Sequence, residues 1–371
     1  MIRIGGDREL PSTIETYPGY GFQKDDGMWR INVCGIAYQT PPFTLRQRMI
    51  LKMLGNAMRA TESELDCEIF QDRVWPFFVE GDKGVKIFIK VGTQKFKLKK
   101  KTRKSGRFYS WPQLPNNLIE KHAEADDTGR RSLSYEIVTS DSSIEPVAGR
   151  IRLLSRTGVS IISDIDDTIK DSSVTNRREL LKNTFLNEFK AIQGMPEIYQ
   201  RWHEAGADFH YVSSSPWQLY APLQKMREDF GFPTGTMHLR NFRLRDQVLK
   251  KVMPMRRKGK AAEIKKLLKN LPHRKFILVG DSGEKDPEIY CKALRKNPKQ
   301  VAGLFIREIE DRPIDHGRIK KMKKGKIKIR KKAKKEFGLE MCQVFKTPDD
   351  LEKISRPVLE RLQIKQVCQT S

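Results

Sequence analysis

Long apolar runs are missing from this sequence. In 371 residues nothing approaches the roughly 18 consecutive apolar positions that a membrane-spanning helix needs. Residues 1–16 lack the apolar stretch of a secretory signal, and neither end carries a lipidation signal. Cysteine is scarce: Cys34, Cys67, Cys291, Cys342 and Cys368 are odd in number, scattered, and without the paired spacing of a zinc site. They read as reduced thiols of a cytoplasmic protein. The 25 glycines follow no period of three, which excludes a collagen-like chain, and no internal repeat is present. Negative charge is the minority charge. Asp plus Glu number 46 against 72 Lys plus Arg, a net charge of +26. That excess points to a polyanionic partner: nucleic acid, an anionic membrane surface or a phosphorylated substrate. A solvated lysine-rich surface is the plain alternative.

What is present is enough apolar material, 38%, for a packed core, and a length of about two domains. Residues 1–26, rich in Gly, Pro and Asp, read as a loose leader. Residues 27–147 read as a β-rich, sandwich-like domain. Trp29, Ile31 and Val33, then Val85, Ile87, Ile89 and Val91, then Leu133, Tyr135 and Ile137 recur at the period of two of half-buried strands. One helical stretch, Leu45–Met58, interrupts them. Residues 148–350 alternate short apolar runs with helical patterns, which predicts an α/β domain on a parallel sheet. Its expected strands are Val159–Ser163, Phe209–Ser213, Phe276–Gly280, Val301–Ile306 and Met341–Phe345. Ile264, Leu267, Leu268 and Leu271 mark one helix face, and Met195, Ile198, Tyr199 and Trp202 another. Residues 351–371 read as a tail. Two basic runs stand out: Lys97–Lys104, with six Lys or Arg in eight residues, and Arg318–Lys335, with twelve in eighteen.

Chemistry concentrates where strands end. Asp164-Ile165-Asp166-Asp167-Thr168 directly follows an apolar strand, so two carboxylates two residues apart project into the crevice where open α/β sheets bind ligands. One carboxylate can attack phosphorus, and the other can protonate the leaving oxygen and then activate water. Gly280-Asp281-Ser282-Gly283-Glu284-Lys285-Asp286 supplies a second acidic cluster at another strand end. Asp164 and Asp281 on neighbouring strands would meet the oxygen-ligand demand of Mg²⁺. Ser213-Ser214-Ser215 ends a third strand, where a hydroxyl and backbone N–H groups can hold phosphate oxygens or simply cap the next helix. Lys260 opens an amphipathic helix and can neutralise a transferring phosphoryl group.

The order D-x-D-x-T, Ser, Lys, G-D-x-x-x-x-D resembles the haloacid dehalogenase superfamily. Ser163 to Lys170, Tyr211 to Leu219 and Gly280 to Tyr290 are similar to the phosphatidate phosphatase catalytic domain of the actin-patch-protein type, itself related to lipins. The resemblance covers about residues 148–312 plus 341–351. It implies a haloacid-dehalogenase-type, Rossmann-like sheet and hydrolysis of phosphatidate to diacylglycerol and phosphate through an aspartyl-phosphate. Asp164 is then the nucleophile and Asp166 the general acid and base, with its backbone carbonyl on Mg²⁺. Asp281 completes the metal site and Asp286 supports it. Ser213 holds a phosphate oxygen and Lys260 orients Asp164, with Ser214 and Thr168 as further substrate-binding candidates.

About 45 residues separate Thr168 from Ser213, and about 47 separate Ser213 from Lys260, which core elements largely fill. Little remains for a large cap, and an open site suits a surface-bound phosphomonoester. Trp217, Leu219 and Tyr220 are placed to contact acyl chains or to pack their own helix. The basic runs predict peripheral attachment to an anionic phospholipid surface. Nucleic acid is the less favoured partner, since no aromatic interleaving or recognisable module accompanies them. Turnover of another phosphomonoester, or binding without turnover, are the rival readings.

Overall fold

The computed structural model describes residues 12–241, 258–314 and 342–362. They fall into two units, residues 12–56 with 74–156, and residues 57–73 with 157–241, 258–314 and 342–362. Arg318–Lys335 lies outside the described residues. Among those described, no helix is long and apolar enough to cross a membrane.

The first unit is built on two largely antiparallel sheets of eight and four strands. Ile14 and Phe108 from the smaller sheet share one apolar core with Ile31, Ile89, Tyr135 and Ile151 from the larger. The period of two explains this directly. In Ile87–Val91 the residues Ile87, Ile89 and Val91 are buried, and Lys90 faces water. The expected helix forms over Leu45–Met58. The expected leader does not stay loose. Thr13–Tyr17 pairs with Val33–Gln39, and Gly19–Gln23 joins the larger sheet beside Val147–Leu154. Ile14, Tyr17 and Tyr20 are buried there. The glycines that make this stretch look like a linker serve close packing, because a side chain at Gly19 would run into the Asn32 carbonyl. In the basic run Lys97–Lys104, the buried Leu98 and Thr102 anchor a segment whose six cationic side chains are all exposed.

The second unit centres on a six-stranded sheet. Its strand order is Gly235–Arg240, Asp208–Pro216, Val159–Ser163, Lys275–Asp281, Val301–Arg307 and Cys342–Phe345, and every pairing is parallel. Val159–Ser163 is buried along its whole length, as a strand covered on both faces must be, and this accounts for its unbroken apolar reading. Helices supply the covering. Met195–Glu204 turns Met195, Ile198, Tyr199 and Trp202 inward, and Lys258–Asn270 does the same with Ile264, Leu267 and Leu268. The expected C-terminal tail is a helix over Pro348–Arg361. A reciprocal Thr347–Asp350 cap starts it, and it buries Leu351, Ser355, Val358 and Leu359.

One cation ties the amino ends of three neighbouring strands. Arg274 is buried. Its Nε donates to Ser160 Oγ at 2.9 Å, its Nη1 to the Thr157 carbonyl at 2.9 Å, and its Nη2 to the Val159 carbonyl at 2.7 Å and Asp208 Oδ2 at 2.6 Å. Breaking a buried pair by deleting one partner strands the other in a poorly solvated site. Arg274→Met is therefore expected to lower unfolding free energy by about 3–5 kcal/mol in urea denaturation. An unchanged midpoint would remove Arg274 from the account of how the sheet is held.

Candidate active site

Parallel strands end at one edge, and the chemistry-bearing residues sit there. Asp164 directly follows Val159–Ser163, Asp281 closes the neighbouring strand, and Ser213 lies in the strand on the other side. The Asp164 amide donates to the Val279 carbonyl at 2.9 Å, so the chain leaves the sheet in register. It then turns sharply. Asp167 adopts φ 53°, and its carboxylate accepts the amides of Ser172, Ser173 and Val174 at 2.7, 2.9 and 2.7 Å. Arg307 grips the Asp167 carbonyl at 2.9 Å. The third acid of the motif thus builds the turn that presents the other two.

Two buried ion clusters flank that turn. In the first, Lys260 Nζ lies 2.8 Å from Asp164 Oδ1, 2.6 Å from Asp286 Oδ1 and 3.1 Å from Glu284 Oε2. Burial works against the Lys260 charge, yet the carboxylates of Asp164, Asp286 and Glu284 hold it well above the ordinary lysine range. Burial also drives the Asp164 carboxyl well above its ordinary value. It pushes Asp281 up to about 7 and Asp286 up to about 6, with the neighbouring acids adding to it. Three carboxylates therefore share one ammonium, with the Asp281 carboxyl beside two of them.

In the second cluster, the Asp166 carboxylate takes the Lys170 ammonium at 2.9 Å and the Ser172 hydroxyl at 2.8 Å on Oδ1, and the hydroxyls of Ser213 and Ser215 at 3.1 and 2.8 Å on Oδ2. Burial opposes its charge. Lys170 and these hydrogen bonds outweigh burial and hold the carboxyl well below the usual range. Lys170 is itself buried over the Phe189 ring.

The first cluster fits a small hard cation. One oxygen each of Asp164, Asp281 and Asp286 lies within 4.8 Å of the others. Asp164 Oδ2 and Asp281 Oδ2 are buried without a hydrogen-bond partner. An all-carboxylate set with spare negative charge is the donor chemistry Mg²⁺ takes. The Asp166 side chain is not in this group and belongs to the Lys170 cluster, in keeping with the expectation that its backbone carbonyl, not its carboxylate, faces the metal.

The other sequence candidates sort by place. Ser213 is buried, donating to Asp166 and accepting the Ser215 amide at 2.9 Å. Ser214 donates to Glu284 Oε2 at 3.2 Å and lines a cavity of about 100 Å³ with Val174, Lys260, Lys285, Ile289 and Arg312. Thr168 is fully buried, its Oγ1 without a hydrogen-bond partner. Leu219 packs into the core, while Trp217 and Tyr220 are half-buried with rings 5.9 Å apart. The residues 242–257 ahead of the Lys260 helix lie outside the described set.

Sequence reasoning missed Lys170, Ser215 and Glu284. Lys170 stands four residues after Asp166, a spacing that carries a signal only when the lysine is known to be buried. Glu284 lies inside the acidic run Gly280–Asp286, and nothing in the sequence marks the lysine it faces.

Residues 159–308 match the family described as the catalytic domain of phosphatidate phosphatase APP1. The phosphatidate phosphatase APP1 of Saccharomyces cerevisiae is 37% identical over 180 residues, covering 46% of this chain and 30% of that protein. An uncharacterized protein of Schizosaccharomyces pombe is 32% identical over 173 residues, covering 46% of this chain and 28% of its own. The chain thus spans about 30% of the length of these curated relatives. A 2,6-sialyltransferase from a Photobacterium species shares 11% identity and covers 61% of this chain and 36% of its own, at a TM-score of 0.20. The segment that matches the phosphatidate phosphatase APP1 catalytic-domain family, residues 159–308, holds every member of both ion clusters.

Proposed function

We propose that the chain is a Mg²⁺-dependent phosphatidate phosphatase of haloacid-dehalogenase type. It releases diacylglycerol and phosphate through an aspartyl-phosphate on Asp164 while resting on an anionic phospholipid surface. The observation that carries this reading is the Asp164–Lys260 pair inside the carboxylate cluster, at 2.8 Å and fully buried. The similarity of the surrounding segment to the phosphatidate phosphatase APP1 catalytic domain supports the substrate.

The residues divide the work. Lys260 fixes Asp164 Oδ1, leaving Oδ2 free of hydrogen bonds to attack phosphorus. As the new bond to phosphorus forms, the bond to the glycerol oxygen breaks, and Asp166 gives that oxygen a proton. Asp166 starts out ionised because Lys170 pairs with it. As a phosphate dianion binds beside it and opposes that ammonium, Asp166 takes up one proton from solvent, and this is the proton it gives to the leaving oxygen. Asp166 then takes the proton of a water that attacks phosphorus, which frees phosphate and restores Asp164. Ser213 and Ser215 hold the Asp166 carboxylate in place. Asp164, Asp281 and Asp286 would hold Mg²⁺, whose charge there draws in phosphate oxygens and offsets charge building on phosphorus. The cavity of about 100 Å³ is lined by Lys260, Lys285 and Arg312 against one acid, Glu284, an excess of positive charge that suits a phosphate head group. Acyl chains would remain outside it, as a surface-bound substrate requires.

Phosphate release from phosphatidate in mixed micelles tests this reading. Wild type is expected to need Mg²⁺, and Asp164→Asn to be silent. Turnover confined to a soluble aryl phosphate would keep the chemistry and overturn the lipid assignment. Silence on both substrates would favour a binding module. Lys260→Met is expected to lower kcat by about 10²–10³, the range for losing one preorganised charge at the reacting centre. A kcat within a few-fold of wild type would remove Lys260 from the mechanism.

A further inference from the structure

The helix Leu45–Met58 turns apolar side chains to water. Leu45, Met49 and Met53 are 80%, 62% and 36% exposed and follow one another at four-residue intervals, so they form a single stripe. Among the described residues, only four other large hydrophobics are exposed: Trp75, Tyr109, Phe230 and Val344. Single exposed apolar residues are ordinary; three in register on one helix face are not. The opposite side of the helix carries Ile50, Leu51 and Leu54, which are partly covered. The helix is also firmly started. Gln47 accepts the Thr44 amide at 2.6 Å, and Thr44 Oγ1 accepts the Gln47 amide at 3.3 Å.

Charge identifies what covers the stripe. Arg48 and Lys52 are exposed along its flank, and no acidic residue occurs from Leu45 to Met58. A second copy of a chain carrying +26 would bring like charge to this face. A bilayer of anionic phospholipid meets both features, with phosphates for the cations and an acyl boundary for Leu and Met.

We propose that the outward face of the helix Leu45–Met58 docks on an anionic phospholipid surface. Leu45, Met49 and Met53 enter the acyl boundary, and Arg48 and Lys52 meet head-group phosphates. The proposal rests on the reading of the chain as a phosphatidate hydrolase, because that substrate resides in such a surface. It adds a site that the exposed basic run Lys97–Lys104 does not provide, since charge alone yields attachment that salt dissolves.

Vesicle flotation of the full chain tests it, using phosphatidylcholine alone or mixed with phosphatidate. At about 0.5 M salt, charge attraction is screened within a few ångström and only apolar insertion persists. Leu45→Glu/Met49→Glu/Met53→Glu is expected to lower this salt-resistant binding about tenfold or more. The same variant should hydrolyse a soluble aryl phosphate at the wild-type rate, which also reports an intact fold. Arg48→Glu/Lys52→Glu is expected to weaken binding at low salt and leave the salt-resistant fraction unchanged. Equal salt-resistant binding by wild type and the triple variant would overturn the proposal. So would a wild-type dimer that the triple variant splits while keeping its vesicle binding. If flotation behaves as expected while neither substrate is turned over, the docking surface stands and the activity reading fails.

Discussion

The ammonium of Lys260 lies 2.8, 2.6 and 3.1 Å from the carboxylates of Asp164, Asp286 and Glu284, all largely screened from water. Charges in such a place cost several kcal/mol each to desolvate, and pairing offsets that cost only if geometry is good on every side. Here the pairing is incomplete. Asp281 makes a fourth carboxyl, and Oδ2 of both Asp164 and Asp281 has no hydrogen-bond donor. A core built for stability alone would not retain this imbalance, and the proposed Mg²⁺ and phosphate would relieve it. The parallel sheet exists, in this sense, to bring Asp164 and Asp281 side by side at its carboxyl edge.

The second carboxylate of the motif is kept apart from that imbalance. Asp166 is saturated by Lys170 and three serine hydroxyls, so two acids two residues apart live in opposite environments. Asp164 is raised by burial, and Asp166 is lowered by its partners. Titratable neighbours pushed in opposite directions are how one site keeps two carboxylates in separate roles. Asp167, in a left-handed conformation, folds the chain after Asp166 back by accepting the amides of Ser172, Ser173 and Val174, which brings Lys170 and Ser172 to Asp166.

Legibility in the sequence followed local physics. The strand Val159–Ser163 and the inward face of Met195–Glu204 were readable because burial on both faces, or on one stripe, leaves a periodic trace. Asp164, Asp281 and Ser213 were readable because strand ends carry the chemistry, and Lys260 because it opens an amphipathic helix ahead of one of those strands. The strand Gly19–Gln23 was not, because Gly19 and Gly21 serve close packing and look identical to linker glycines, and Thr13–Tyr17 was not, because the loose Gly- and Asp-rich stretch around it masked its strand pattern. The helix Pro348–Arg361 was hidden by its length at the end of the chain and by an internal Pro357. Lys170 and Glu284 were hidden for another reason. In a chain with 72 basic residues, only three-dimensional burial distinguishes a functional lysine, and its partners, from a solvated one.

The central claim is that Asp164 carries phosphate during turnover, held ready by Lys260. An acid quench of the full chain during turnover of radiolabelled phosphatidate, followed by peptide mapping, tests this most directly. The account predicts label on the peptide containing Asp164, released by neutral hydroxylamine as an acyl phosphate is. Turnover without protein-bound phosphate, or stable label on the peptide containing Ser213, would contradict it.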